Sequence, residues 1–354
     1  RWKRVTGVQT CALPISVDLW QAIRRACSDP RHSATFGAGA PGPAGFAVSN
    51  RKRTVALTGG TGFVGGATLD RLIAAGWKVR ALARRAQAPK SGVEWIAGGL
   101  DDAASLTRLC DGADAVLHIA GVVNAYEPAE FESGNVTGTA NLIAAVKGAG
   151  ISRFLHVSSL AAREPGLSRY GASKARAEKL VATSLLDWTI IRPPGVYGPG
   201  DRDVLEMFKM AAKGFVLLPP HGRGSWIHVD DLARLLVATL PPHEDATAQI
   251  FEADDGEPGG WEHRRFARAI GWTLGRRVTT LSAPRAILLL AGRGDRFIRR
   301  RKARMTPDRA SYMSHRDWSI DPAARPPSAL WKPQIATRDG LKATARWYKA
   351  QDWL

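Results

Sequence analysis

Three side chains in this sequence have the types and spacing to move a proton to or from a carbonyl oxygen: Ser159, Tyr170 and Lys174. Tyr170 and Lys174 stand four residues apart in a stretch rich in helix formers (Ala172, Ala175, Ala177, Glu178, Leu180). A helix there puts phenol and ammonium on one face. A cation beside a phenol stabilises the phenolate, so the Tyr170 pKa is expected to fall from its ordinary value of about 10. A phenol nearer to working pH can give or take a proton as carbonyl and alcohol interconvert. Ser159, at the end of a predicted strand eleven residues earlier, could hydrogen-bond the reacting oxygen. A Tyr-x-x-x-Lys alone is common by chance, so its surroundings decide its meaning.

Those surroundings begin at residue 53. The apolar run 54–58 reads as a strand and leads into Gly59-Gly-Thr-Gly-Phe-Val-Gly65. Phe63, Val64, Ala67, Leu69, Leu72 and Ile73 then recur at helical spacing. Strand, glycine turn and helix in this order make the first unit of a dinucleotide-binding sheet. Gly59 permits the tight turn, Gly62 lets backbone approach a pyrophosphate, and Gly65 lets helix and strand pack closely. The helix start offers free N–H groups to the phosphates. The next strand, 78–83, ends at Ala83 and is followed by Arg84 and Arg85. Sheets that bind NAD usually place a carboxylate there for the ribose 2′-hydroxyl. Two guanidiniums and no acid fit a 2′-phosphate better, so NADP(H) is the expected cofactor, with NAD(H) as the alternative. The opposing reading is that both arginines merely face solvent.

Further strands are predicted at 94–97, 115–120, 154–159 and 188–192, with helical segments between them. This alternation predicts an α/β fold, a doubly wound, mainly parallel Rossmann sheet with a smaller C-terminal α/β lobe. The expected division is a cofactor-binding domain over 51–195 and a substrate lobe over 196–354, partly interleaved with the first. Ligands bind such sheets at the carboxyl ends of strands.

With 354 residues and 45% hydrophobic content, the chain can bury a large core. The apolar run 286–291 is flanked by arginines and falls far short of the ~20 residues of a spanning helix. Cys11, Cys27 and Cys110 show no paired spacing. That favours a reducing, cytoplasmic setting over a disulfide framework or a metal site. The formal charge is +18, part of it in the basic run 296–304. Such a run reads first as a solvated helix face, with weak contact between 287–304 and an anionic membrane surface as the other possibility; nucleic acid is not expected. Residues 5–15 resemble the translation of a sequencing adapter, no methionine precedes Met207, and 33–49 are dominated by Gly, Ala, Pro and Ser. Residues 1–50 are therefore expected to be a non-native or disordered leader, a transit peptide being the alternative.

Taken together, the motifs resemble the extended short-chain dehydrogenase/reductases, the NAD-dependent epimerase/dehydratase superfamily. The likeness runs from about residue 53 to the C-terminus. It rests on residues 58–65, 118–121, 135–139, 157–159, Tyr170 with Lys174, 192–201 and 228–231. The resemblance implies that Thr61, Phe63 and Val64 touch the pyrophosphate and that Leu100 lines the adenine pocket. Ala120 and Gly121 would pass beneath the cofactor, Pro193 and Val196 would border the nicotinamide, and Lys174 would also hold its ribose. Two departures stand out. Gly98-Gly99-Leu100 lacks the family's frequent acid near adenine, unless Asp101 or Asp102 substitutes. Leu160-Ala161 replaces the Asp-Glu pair that sugar-nucleotide dehydratases carry after the catalytic hydroxyl residue. Pro193-Pro194 also differs from the aromatic and Asn of sugar-nucleotide epimerases, and the Arg-Pro-x-x-Val-Tyr-Gly-Pro-Gly-Asp form over 192–201 looks more like the hydroxysteroid and flavanone-type reductases, whose substrates are often apolar.

The expected activity is thus NADP(H)-dependent interconversion of a carbonyl and an alcohol on a small, apolar molecule. The alternatives are an NAD-dependent sugar-nucleotide epimerase and a non-catalytic nucleotide-binding protein resembling a respiratory complex I subunit. Monomer and homodimer both remain open. Among other residues, His118 and His156 read as strand residues rather than metal ligands, Asp230 as a helix cap, and Asn135 as support beside the site. Trp318, Trp347 and Tyr348 read as packing residues of the C-terminal lobe.

Overall fold

The computed structural model describes residues 53–219, 222–303 and 305–354. The leader expected at 1–50 lies outside the described residues. Seven parallel strands form the central sheet: β1 (Thr54–Thr58), β2 (Lys78–Ala83), β3 (Val93–Ala97), β4 (Ala115–His118), β5 (Arg153–Val157), β6 (Asp187–Ile191) and β11 (Gln249–Phe251). Their order is β11-β6-β5-β4-β1-β2-β3. The direction of winding reverses beside β1, between β2 and β4, which is where ligands settle in doubly wound sheets. β4, β5 and β6 end one or two residues earlier than their apolar runs. There the chain leaves the sheet to form the loops that carry Ala120, Ser159 and Pro193.

The strands read as unbroken apolar runs because both sheet faces are covered. Val55 and Leu57 point to one face, against Leu69 and Leu72 of helix α1 (Phe63–Ala74) and Leu232 and Leu236 of α6 (Val229–Thr239). Ala56 points to the other, against Leu106 and Leu109 of α2 (Ala103–Cys110) and Leu142 of α3 (Gly138–Gly148). This side-to-side alternation is the period of two that a strand imposes. Behind the sheet's carboxyl end runs α4 (Arg169–Ala182), with Ser168 as its cap. The helix α6 is capped by the His228 ring, which accepts from the Asp230 N–H at 3.2 Å. The cap expected at Asp230 is therefore displaced by two residues; Asp230 lies in the first turn, 3.9 Å from Arg71.

Beyond β6 the chain adds small sheets and helices. These are β7 (Gly195–Tyr197) with β10 (Trp226–His228), β8 (Phe215–Leu218) with β13 (Thr279–Ser282), and β9 (Arg223–Gly224) with β12 (Trp261–Glu262) and β14 (Asp317–Trp318). Their helices are α5 (Val204–Ala212), α7 (His263–Thr273), α8 (Arg285–Arg299), α9 (Pro307–Met313) and α10 (Thr337–Ala350). Phe208, Phe266, Leu341 and Tyr348 centre the core of this part, with Trp347 packed against it. Trp318 departs from that expectation and packs beside Tyr170 instead.

The turn after β1 shows why glycine stands at positions 59 and 65. Gly59 has φ +79°, and a Cβ on Gly65 would lie 1.9 Å from the Gly59 carbonyl oxygen. The helix can approach the strand only where that carbon is missing. Gly65→Ala is expected to overpack this contact at a cost of about 1–3 kcal/mol. Thermal unfolding checks this, and an unchanged Tm would reject the packing role of Gly65.

Candidate functional site

At the carboxyl end of the sheet the structure brings Ser159, Tyr170 and Lys174 together. Ser159 leaves β5 and caps a 3-10 turn, accepting from the Ala161 N–H at 3.2 Å. Its side chain also shares a hydrogen bond with the Tyr170 phenol. One turn along α4, the Lys174 ammonium is buried and donates to the Val157 carbonyl at 2.8 Å. Glu178, a further turn on, is held by Arg192 through bonds of 2.9 and 2.7 Å. Arg192 also lies 3.5 Å from Glu252, which accepts from Arg163 at 2.9 Å. This chain of charges ties α4 to the ends of β6 and β11 and to the turn after Ser159.

Burial sets the acidities here. It raises the Tyr170 phenol to about 12, while the Ser159 hydrogen bond and the Arg309 guanidinium pull the other way without offsetting it. The lowering expected from a neighbouring ammonium is not found, because Lys174 is turned to Val157 and the phenol is desolvated by rings. Burial lowers Lys174 to about 8, against the attraction of Glu178. Behind it, burial and the Lys174 charge lower His118 to about 3 and His156 well below the usual histidine value. His118 bridges Thr58 at 2.7 Å and Thr139 at 3.0 Å, a strand-end brace. Both imidazoles are neutral at neutral pH.

Asn135 lies in a π-helical segment (Glu132–Thr137), an irregularity often found at functional sites. Its amide accepts from the Val122 N–H at 2.6 Å and donates to the Val122 carbonyl and the Ser173 hydroxyl, each at 2.9 Å. It braces the loop after β4 against α4. A Cβ on Gly121 in that loop would lie 3.1 Å from Asn135 Oδ1 and 3.7 Å from Lys174 Nζ. Ala120 donates its N–H to Thr58 Oγ1 at 3.2 Å. Pro193 is buried after β6, its carbonyl accepting from Leu160, and Val196 is half-buried in β7.

The nucleotide end is equally open to inspection. Thr61 and Gly62 are exposed, Phe63 and Val64 half-buried, and no side chain caps the start of α1. The first turn also carries no acid. An uncapped helix start behind a glycine-rich turn fits a pyrophosphate. Arg84 is exposed at the end of β2, and among the described residues neither its guanidinium nor that of Arg85 has an ion-pair partner. Leu100 packs on Gly138, and its carbonyl accepts from Asn141 at 2.9 Å. Asp102 is committed to capping α2 through Ala104 and Ser105, which leaves Asp101, exposed like Asp102, as the other acid of that loop. The residues present therefore fit a nicotinamide dinucleotide.

Sequence reasoning missed what covers Tyr170. Asp308 accepts from the Arg169 N–H at 2.7 Å and the Tyr170 N–H at 3.3 Å, adding a carboxylate to the start of α4. The Tyr312 ring lies 5.9 Å from that of Tyr170, and Trp318 donates to the Tyr312 carbonyl at 2.9 Å. With Val122, Ala125, Phe131 and Ala161, these rings make an apolar wall. Nothing in the local pattern near 308–318 signals this, since its partners are some 140 residues earlier in the chain.

A parallel, doubly wound sheet with a glycine turn at its reversal point and a Tyr–Lys helix at its strand ends defines a nucleotide-dependent redox fold. A sequence model of the NAD dependent epimerase/dehydratase family matches residues 55–252, and the chain belongs to that family. It is an NAD(P)-dependent oxidoreductase of the extended short-chain dehydrogenase/reductase type. A ceramide reductase of Caulobacter vibrioides is 33% identical over 87% of this chain and 98% of its own length. A 4-hydroxy-2-methyl-3-oxo-4-farnesyl-3,4-dihydroquinoline-1-oxide ketoreductase of Stigmatella aurantiaca is 32% identical over 58% of this chain and 65% of its own. The solved structure of MoeE5 with UDP-glucuronic acid and NAD superposes with a TM-score of 0.65 at 20% identity, over 84% of this chain and 99% of that one. Among the described residues no helix is long and apolar enough to cross a membrane.

A buried ammonium costs stability. Folded Lys174 releases its proton at about 8 and the unfolded side chain at 10.5. Between these values the unfolded chain binds more protons, so stability at this position rises with pH. Lys174→Met is expected to stabilise the fold by about 1–3 kcal/mol at pH 7, with the advantage shrinking toward pH 10. Thermal unfolding across that range checks it, and a variant that is less stable at pH 7 would reject the burial cost.

Proposed function

We propose that this chain is an NADP(H)-dependent reductase of an apolar, lipid-like ketone. The observation that carries the proposal is the wall of Val122, Phe131, Tyr312 and Trp318 around Tyr170. A sugar nucleotide would find few partners on such a surface, whereas an alkyl chain replaces water there at a gain. The relative matched over 98% of its length is a ceramide reductase, which favours a lipid carbonyl as substrate class. The bound cofactor supplies the hydride, and this chain supplies position and a proton. Ser159 and Tyr170 hold the carbonyl oxygen from two sides. Tyr170, neutral to about 12, then gives its phenolic proton to that oxygen, and ketone becomes alcohol. Lys174 holds the nicotinamide ribose and stabilises the phenolate that remains.

The nucleotide roles follow the same logic. Thr61, Phe63 and Val64 present backbone to the pyrophosphate between Gly59, Gly62 and Gly65. Arg84 takes the 2′-phosphate, Leu100 flanks adenine, and Ala120, Gly121, Pro193 and Val196 frame the nicotinamide. Residues 51–195 would serve the cofactor and 196–354 the substrate, with β11 crossing between the two. Tyr170→Phe is expected to lower kcat for NADPH-dependent ketone reduction by about 10²–10⁴ while NADPH still binds. Turnover near that of the wild type would reject Tyr170 as the acid. Arg84→Ala is expected to weaken NADPH binding by about tenfold or more, leaving NADH unaffected. Equal loss for both nucleotides, measured by fluorescence titration, would remove the 2′-phosphate role.

A further inference from the structure

Helix α8 turns its oily side to the outside. At about 100° per residue, Ala286, Ile287, Leu290, Ala291, Gly294, Phe297 and Ile298 fall within one arc of about 140° that contains no charged residue. Ile287 is 54% exposed, Leu290 62%, Phe297 85% and Ile298 78%. The opposite side holds the helix to the protein: Leu288 packs with Ala283 and Ala310, and a Cβ on Gly292 would lie 3.0 Å from the Pro307 nitrogen. An exposed apolar stripe on a helix anchored in this way is unusual for a face that meets only water.

Charge says what the stripe meets. Residues 285–304 hold eight Lys/Arg and one acid, Asp295, a formal charge of +7. Arg296 and Arg301 are stacked over Tyr126, at 4.7 and 5.8 Å, and approach Glu127 and Glu130. Arg293 and Arg300 have no ion-pair partner among the described residues. A second copy of this chain joined through the same face would oppose two such basic segments, which disfavours it. An anionic bilayer offers headgroups for the arginines and an acyl boundary for the apolar arc.

We propose that α8 is an interfacial helix that seats the enzyme on an anionic lipid surface, lying in the headgroup plane without crossing it. The seat is joined to the candidate site on two sides. Asn124 donates to the Ala303 carbonyl at 2.9 Å, and α9, packed on α8, sends Asp308 to the start of the Tyr170 helix. An open cleft of about 440 Å³ lies between these parts, lined by Leu167, Arg169, Leu289 and Pro307 among others. The proposal stands apart from the ketone-reductase reading, since the helix binds lipid whatever the substrate.

The test uses the full chain and sedimentation with phosphatidylcholine vesicles, with and without phosphatidylglycerol. Wild type is expected to sediment with the anionic vesicles and to keep part of that binding at high salt, through the apolar arc. Phe297→Glu with Ile298→Glu should lower partitioning at least about tenfold, and Arg293→Gln or Arg300→Gln about fivefold each in low salt. All these variants should keep the wild-type Tm and nucleotide binding, and their turnover of a short, water-soluble ketone. The proposal is overturned if wild type stays in the supernatant with anionic vesicles, or if the glutamate variant partitions like wild type. It is equally overturned if those glutamates only convert a dimer to a monomer by light scattering, the mark of a self-interface. Absent ketone turnover with intact vesicle binding would sink the substrate reading and leave this one standing.

Discussion

The structure is organised around one buried ammonium. Lys174 sits at the carboxyl end of the sheet, and among the described residues its hydrogen-bond partner is the Val157 carbonyl. Its charge is favoured by Glu178, which Arg192 grips from the end of β6. Desolvating a charge this deeply is expensive, and proteins keep such groups where a ligand or reaction uses them. Burial, aided by the same charge, holds His118 and His156 neutral and leaves the cluster with one cation rather than three. Tyr170 inherits its place from Lys174 because both project from one helix, whose start is capped by Ser168 and reinforced by Asp308.

The phenol reads differently in the fold than in the sequence. Next to a lysine it should be acidic, yet among Phe131, Tyr312 and Ala161 it is a weaker acid than in water. Burial disfavours the charged phenolate, and Lys174, turned to the Val157 carbonyl, does not offset it. A neutral phenol is the form that donates a proton to a carbonyl oxygen.

Several residues that resemble family positions are reassigned by their neighbours. Asp102 could have stood near adenine but caps α2. Asp230 could have capped α6, but the His228 ring does so. Trp318 reads as packing of a distal lobe and instead walls the site. In each case the neighbours that the fold supplies settled the use of the side chain.

The amino-acid order by itself determined the cofactor half of this protein. Gly59, Gly62 and Gly65, the parallel strands, Ser159, and the Tyr170–Lys174 pair are local patterns with short-range physics, so spacing alone reveals them. Only the tertiary structure decided the acidity of Tyr170, the rings that enclose it and the outward turn of the α8 stripe. Each of these depends on what lies across from a residue, and Ala303, Asp308, Tyr312 and Trp318 reach the site from more than a hundred positions away. Periodicity marks a helix as amphipathic, but which side is buried is settled by the partner it packs against.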